Sequence, residues 1–161
     1  MSMEFGPYLR KEQIGNFVIN LILNGGFAWW LTHGSQLPLW KGDGAMGPDI
    51  LMTSLLLAYL LALIVAWLTR KKRDEGKTPR LDAGRYPLIS RLPATTGKLS
   101  ASVAVVGVVI GVAMVATMHV LGLDPYPRVS YVVLKAVYAA VLAIICNYIV
   151  IVRILSQPQG A

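Results

Sequence analysis

The sequence predicts an all-α integral membrane protein, a bundle of four transmembrane helices built from two hairpins in a single domain over residues 1–161. Three observations predict this fold class. Charged residues make up only 14% of the chain, well below the roughly 25% of an ordinary soluble domain. Apolar residues gather in four blocks, each long enough for the about 20 helical residues that cross a bilayer. The excess of positive charge lies on one side of these blocks.

The four predicted spans cover residues 13–32, 49–68, 99–121 and 129–155. A buried helix of a soluble protein would keep a polar outer face, whereas residues 55–68 and 103–116 are apolar all round. The single cysteine, Cys146, lies inside the fourth span, so an internal disulfide and a cysteine-based zinc cluster are excluded.

The charge distribution predicts the orientation of the bundle. The two termini and the basic loop 69–98 share one side, which carries twelve cations and five acidic residues, whereas the other side carries three of each. The positive-inside rule therefore predicts cytoplasmic termini, in the bacterial cytoplasmic (inner) membrane. The net charge of +7 is explained by basic loops that set topology and contact anionic lipid headgroups. No nucleic-acid partner is expected.

Small residues predict close packing between the spans. They recur at steps of four, a spacing that lets helix backbones approach closely within lipid. Such faces fit contacts within one chain and contacts between chains equally well. The predicted packing residues are Ser54, Ala58, Ala62, Ala66, Gly107 and Gly111.

The asparagine stripe of the first span, Asn16, Asn20 and Asn24, is the most informative polar pattern. Residues four apart advance by about 400°, so these amides share one slowly drifting face. An unpaired amide against lipid is costly, so the stripe must face protein or water. Either it hydrogen-bonds to other helices, or it lines a polar path. Asn147 of the fourth span is a further candidate lining residue, and the adjacent pair Gly25–Gly26 predicts either a helix break or a close crossing.

Lys135 is the one cation placed well inside an apolar block. Its side chain either extends to the membrane surface or pairs with Asp49, which begins the second span at a similar depth. Asp49 and Lys135 are also candidate lining residues of the polar path, which would open near them. The outer ends carry His33, His119 and Asp124, which together predict a polar outer vestibule. The spacing of the two histidines does not predict a metal site.

Two functions fit these patterns. The first is a small transporter, channel or small-ligand-binding protein with a polar path beside the first span, acting as a homo-oligomer or with a membrane-protein partner. The second is a non-catalytic accessory or assembly subunit of a larger membrane complex. No nucleophile elbow, phosphate-binding glycine loop or carboxylate pair within a span predicts catalysis, and neither enzymatic activity nor a cofactor is expected.

Overall fold

The computed structural model describes residues 4–157, so residues 1–3 and 158–161 of the predicted domain lie outside the described part. Four helices in this part are long and apolar enough to cross a membrane, which confirms the all-α bundle and indicates a multi-pass membrane protein. The helices are α1 (Phe5–Leu31), α2 (Met46–Asp74), α3 (Pro87–Ser90), α4 (Thr96–Val120) and α5 (Arg128–Leu155); a 3₁₀ turn covers Ala83–Arg85, and two short strands are β1 (Gln36–Leu37) and β2 (Tyr126–Pro127).

Two helices extend beyond the apolar blocks that predicted them. The helix α1 begins at Phe5, and α2 continues through the basic run to Asp74. Lysine and arginine are good helix formers, and cations are favoured at a helix C-terminus. The α2 helix ends in a Schellman motif, because Gly76 adopts a φ of +69° and its N–H donates to the Arg73 carbonyl at 2.9 Å.

The helix α5 lies at the centre of the bundle. It packs against α1 on one side and α2 on another, while α4 packs mainly against α2. The principal contacts therefore join the first pair of long helices to the second pair, rather than joining the members of each predicted hairpin. As a result, α1 is peripheral and has α5 as its main partner.

The closest helix crossing is between α2 and α4. Gly107 lies against α2 so tightly that an added Cβ would lie 2.5 Å from the Ala58 Cβ and 2.7 Å from the Ser54 carbonyl oxygen. Ser54 also shares a 2.5 Å hydrogen bond with the Tyr138 hydroxyl of α5. The two predicted small-residue faces, on α2 and on α4, therefore pack against each other, and the remaining predicted packing residues Ala62, Ala66 and Gly111 are also buried.

The two connections at one end of the bundle are joined to each other. The strands β1 and β2 pair antiparallel, with Gln36 opposite Pro127 and Leu37 opposite Tyr126. We call this the β end. Beneath the strands lies an apolar cluster that closes the space between α2, α4 and α5: Leu37, Leu39, Met46, Ile50, Val115, Met118 and Tyr131.

The opposite end, called the basic end, carries the segment 75–95. Arginines on the long helices hold the backbone of this segment, since Arg153 donates to the Leu92 carbonyl at 2.6 Å and Arg70 donates to the Ala94 carbonyl. Arg70 also donates to the hydroxyl of Thr96, the first residue of α4, at 2.6 Å. At the same end, Lys72 of α2 forms a 2.6 Å ion pair with Glu12 of α1. The segment is therefore tied to the bundle although most of it is irregular.

Candidate polar path and ion-pair site

A partly buried ion pair joins α2 to α5 near the β end. The Lys135 Nζ lies 2.6 Å from both carboxylate oxygens of Asp49, and the Tyr131 hydroxyl donates to the same carboxylate at 2.5 Å. Tyr131 and Lys135 are four residues apart on α5, so both reach the first turn of α2, where a negative charge also suits the helix dipole. Of the two readings of Lys135, the structure shows the pair with Asp49.

The two charges of this pair differ in their access to the exterior. The Asp49 side chain is 30% exposed, whereas that of Lys135 is 4% exposed. Asp49 lines a groove of about 400 Å³ at the β end, together with residues of the α1 end, of the following loop and of the first turn of α2. These are Leu31, Thr32, Trp40, Gly42, Gly44, Ala45 and Pro48. A solute in this groove would meet the carboxylate, with the lysine behind it.

The asparagine stripe lies on the inner side of α1. Asn20 is buried and Asn16 and Asn24 are half-buried, while the large apolar side chains of α1 are exposed on the opposite side. Each amide nitrogen donates to the carbonyl four residues earlier: Asn16 to Glu12 at 3.1 Å, Asn20 to Asn16 at 2.8 Å and Asn24 to Asn20 at 3.1 Å. Because one N–H of each amide bonds within α1, each stripe residue still offers its second N–H and its amide oxygen to another molecule or helix.

The glycine pair does not break α1, which is continuous from Phe5 to Leu31. Gly25 instead marks a close approach to α5, since a Cβ added there would lie 3.2 Å from the Ala136 Cβ. A Cβ added at Gly26 would meet nothing within 4 Å. The two neighbours therefore differ in role, and only Gly25 lies at a crossing.

Asn147 lies on the side of α5 that faces α1. It follows Ala136 by eleven residues, which places it only about 20° around the helix from the residue that contacts Gly25. The same geometry places it about 120° from Lys135, so the two do not share a site. Asn147 is fully buried, and neither its Nδ2 nor its Oδ1 has a hydrogen-bond partner.

The three residues of the predicted vestibule have separate environments. His33 is exposed beyond the end of α1, and His119 lies edge-on to the Trp40 ring with 6.3 Å between ring centroids. Asp124 accepts a 3.0 Å hydrogen bond from the Leu39 N–H, so it stabilises the loop that covers the β end. None of the three lines the groove beside Asp49.

Sequence reasoning missed two residues of these sites. Thr32 continues the four-residue period of the stripe through Ala28, is buried, and lines the groove. The basic run marks Lys72 only as one of the cations that set topology, yet Lys72 pairs with Glu12, one turn before Asn16. The spacing of four residues was the available signal for Thr32, whereas no local pattern connects Lys72 to Glu12.

The site therefore consists of two parts, the ion pair beneath its groove and the polar interface between α1 and α5. Within residues 4–157, no group of three or more His, Cys, Asp or Glu side chains is arranged to hold a metal ion. No family model, curated protein or solved structure matches this chain.

Proposed function

We propose that the protein is a small membrane transporter, channel or ligand-binding protein with a polar path between α1 and α5. One observation carries the proposal: the chain contains four asparagines, and all four are on α1 or on the side of α5 that faces it. Interhelical packing alone would not require the amides to be collected at one interface, whereas a path for a hydrogen-bonding solute would.

In this proposal the β end faces the exterior and the basic end faces the cytoplasm. The cations near the basic end, including Arg70, Lys71 and Lys72, satisfy the positive-inside rule there. The same cations would contact anionic lipid headgroups of a bacterial inner membrane. The groove beside Asp49 would then be the external entrance.

A solute would pass from the groove to the asparagine stripe by way of Thr32. The amides would replace part of its hydration shell. Between Thr32 and Asn24, the buried Ala28 and the crossing of Gly25 with Ala136 close the interface. Movement of α1 relative to α5 would open this constriction, and it would disturb mainly one interface because α1 has α5 as its main partner.

The proposal predicts that the stripe is accessible to water. In a Cys146→Ala background, Asn20→Cys should react with a small charged thiol reagent in membranes, because the reactive thiolate forms only where water reaches it. Ile19→Cys is the matched control. Residue 19 lies at nearly the same depth as residue 20, but its side chain is on the outer side of α1 and is 56% exposed.

Reaction of Asn20→Cys at least tenfold faster than Ile19→Cys would support the path. Equal protection of cysteines at positions 16, 20 and 24, with the protein still folded, would show that the stripe only packs helices.

The second candidate is an accessory or assembly subunit of a larger membrane complex. It is favoured by the outer side of α1, where Ile14, Ile22, Phe27 and Trp30 are exposed and α1 has only one main helix partner. Native mass spectrometry of the detergent-extracted particle separates the candidates. A heteromeric particle would favour the subunit, and a homo-oligomer would favour the path.

A further inference from the structure

The strongest unexplained feature of the interface is the side chain of Asn147. It is fully buried, and both its donor and its acceptor lack partners. A buried amide without hydrogen bonds is destabilising, and such groups are normally satisfied by protein or by an ordered molecule. The position of Asn147 on the α1 side of α5 places this amide in the proposed path.

The register of the two helices shows which part of α1 lies opposite Asn147. The helices α1 and α5 run antiparallel, with Gly25 against Ala136. The long Arg128 side chain reaches the Trp29 carbonyl, to which it donates at 2.6 Å. Counting from the Gly25–Ala136 contact by the helical rise of about 1.5 Å per residue places Asn16, which is half-buried, within about 3 Å of the level of Asn147. One N–H of the Asn16 amide is used within α1, so its second N–H and its amide oxygen are available at this level.

The surroundings of this position define the class of ligand. No charged residue occurs between residues 13 and 31 of α1 or between residues 136 and 152 of α5, and Glu12, one turn from Asn16, is already paired with Lys72. An ion there would lose its hydration shell without gaining a countercharge. An uncharged molecule with both a donor and an acceptor would give a partner to the Asn147 Nδ2 and to its Oδ1.

We infer that Asn147 and Asn16 form a binding position for an uncharged hydrogen-bonding molecule, either water or a small amide or polyol. The inference rests on the proposed path and adds the class of ligand and the residue that recognises it. In this position Asn147 donates to the ligand through Nδ2 and accepts from it through Oδ1, and the Asn16 amide oxygen accepts a further hydrogen bond.

The composition of the chain makes a direct test possible. Selective ¹⁵N-asparagine labelling marks only four side-chain amide groups, which are those of Asn16, Asn20, Asn24 and Asn147. The labelled full-length protein in lipid nanodiscs would be titrated with acetamide and, separately, with acetate, which has nearly the same shape but a charge. Exchange of each amide with water would be measured in the same samples.

We expect the Asn147 amide to exchange with water and to shift saturably with acetamide but not with acetate. Exchange without an acetamide shift would identify water itself as the ligand. An Asn147 amide that is protected from exchange and insensitive to both probes would overturn the inference. An equal response to acetate would overturn the uncharged class.

Substitutions distinguish a ligand site from a merely buried amide. Asn147→Leu keeps the branching at Cγ but removes both the donor and the acceptor, so it should abolish the acetamide shift at Asn16 while the Asn24 signal stays in place. Ser100→Ala is the control, because Ser100 is also fully buried with an unpartnered hydroxyl but belongs to α4. An acetamide shift at Asn16 that survives Asn147→Leu would contradict the assignment.

The outcome is separable from that of the thiol experiment. Reactive cysteines on the stripe together with a protected Asn147 amide would retain the path and reject this position. Unreactive cysteines at all three stripe positions would reject the path itself.

Discussion

At the scale of single residues, the pair of Lys135 and Asp49 shows how a charge is kept in an apolar helix. Its components lie 86 positions apart in the chain. Burial of two charges carries a desolvation penalty that only good geometry and additional hydrogen bonds offset. Both carboxylate oxygens contact the ammonium group, and Tyr131 donates a further hydrogen bond. Each partner therefore depends strongly on the other.

Removal of one partner should cost far more than removal of both. Lys135→Ala should lower the free energy of unfolding by about 1–3 kcal/mol, because it leaves the partly exposed Asp49 carboxylate without its charged partner. Adding Asp49→Asn should restore most of this loss, since the amide is neutral and still accepts from Tyr131. Reversible unfolding in mixed micelles measures both values.

The exposed pair of Lys77 and Glu75, 2.8 Å apart, provides the control for this comparison. Lys77→Ala should leave the unfolding transition unchanged, because exposed pairs contribute little. Additive effects of the Lys135 and Asp49 substitutions would show that the two side chains are not coupled.

At the scale of helices, the glycines of α4 have different roles that follow from their neighbours. Gly107 and Gly111 allow α4 to approach α2, and an added Cβ at either would overlap α2 atoms. Gly97 lies on the same helix, but an added Cβ there would meet nothing within 4 Å. Close packing of this kind is the main attraction between helices in lipid.

Alanine at Gly107 should therefore separate α2 from α4. Gly107→Ala should destabilise the bundle by about 1–3 kcal/mol, the usual cost of overpacking. Gly97→Ala should be neutral or slightly stabilising, because alanine has the higher helix propensity. Thermal unfolding of both variants in the same detergent measures the difference. Equal melting temperatures would argue against a close α2–α4 crossing at Gly107.

At the scale of the whole molecule, the distribution of charge and of packing gives the bundle two unlike ends. The β end is closed by two paired strands over an apolar cluster, whereas arginines bind the backbone at the basic end. The proposed orientation follows from the charge alone, since the apolar helices are compatible with either direction of insertion.

Site-specific labelling tests this orientation. In a Cys146→Ala background, Ser35→Cys at the β end should react with an impermeant maleimide added to intact spheroplasts. Ala83→Cys at the basic end should react only after the membrane is permeabilised. Both positions are exposed, so access from one side is the only difference expected. The reverse pattern would place the basic end outside and would contradict the positive-inside assignment.

The sequence by itself determined the number of long helices, their approximate limits and the small-residue faces. These features depend on local composition and on a period of 3.6 residues, which can be read along one segment. The stripe of Asn16, Asn20 and Asn24 was visible for the same reason. The helices α1 and α2 extend beyond the predicted spans, to Phe5 and Asp74, because a helix continues into polar surroundings where hydropathy no longer marks it.

Only the tertiary structure decided which helices are neighbours and which polar groups meet. Apolar faces are chemically alike, so nothing in α1 indicates that its main partner is α5 rather than the adjacent α2. The choice between a surface-reaching and a paired Lys135, the close approach at Gly25 and the unpartnered amide of Asn147 all depend on that arrangement. Helix packing and hydrogen bonding each depend on two segments at once. When the two segments are far apart in sequence, neither one alone carries a pattern that identifies its partner.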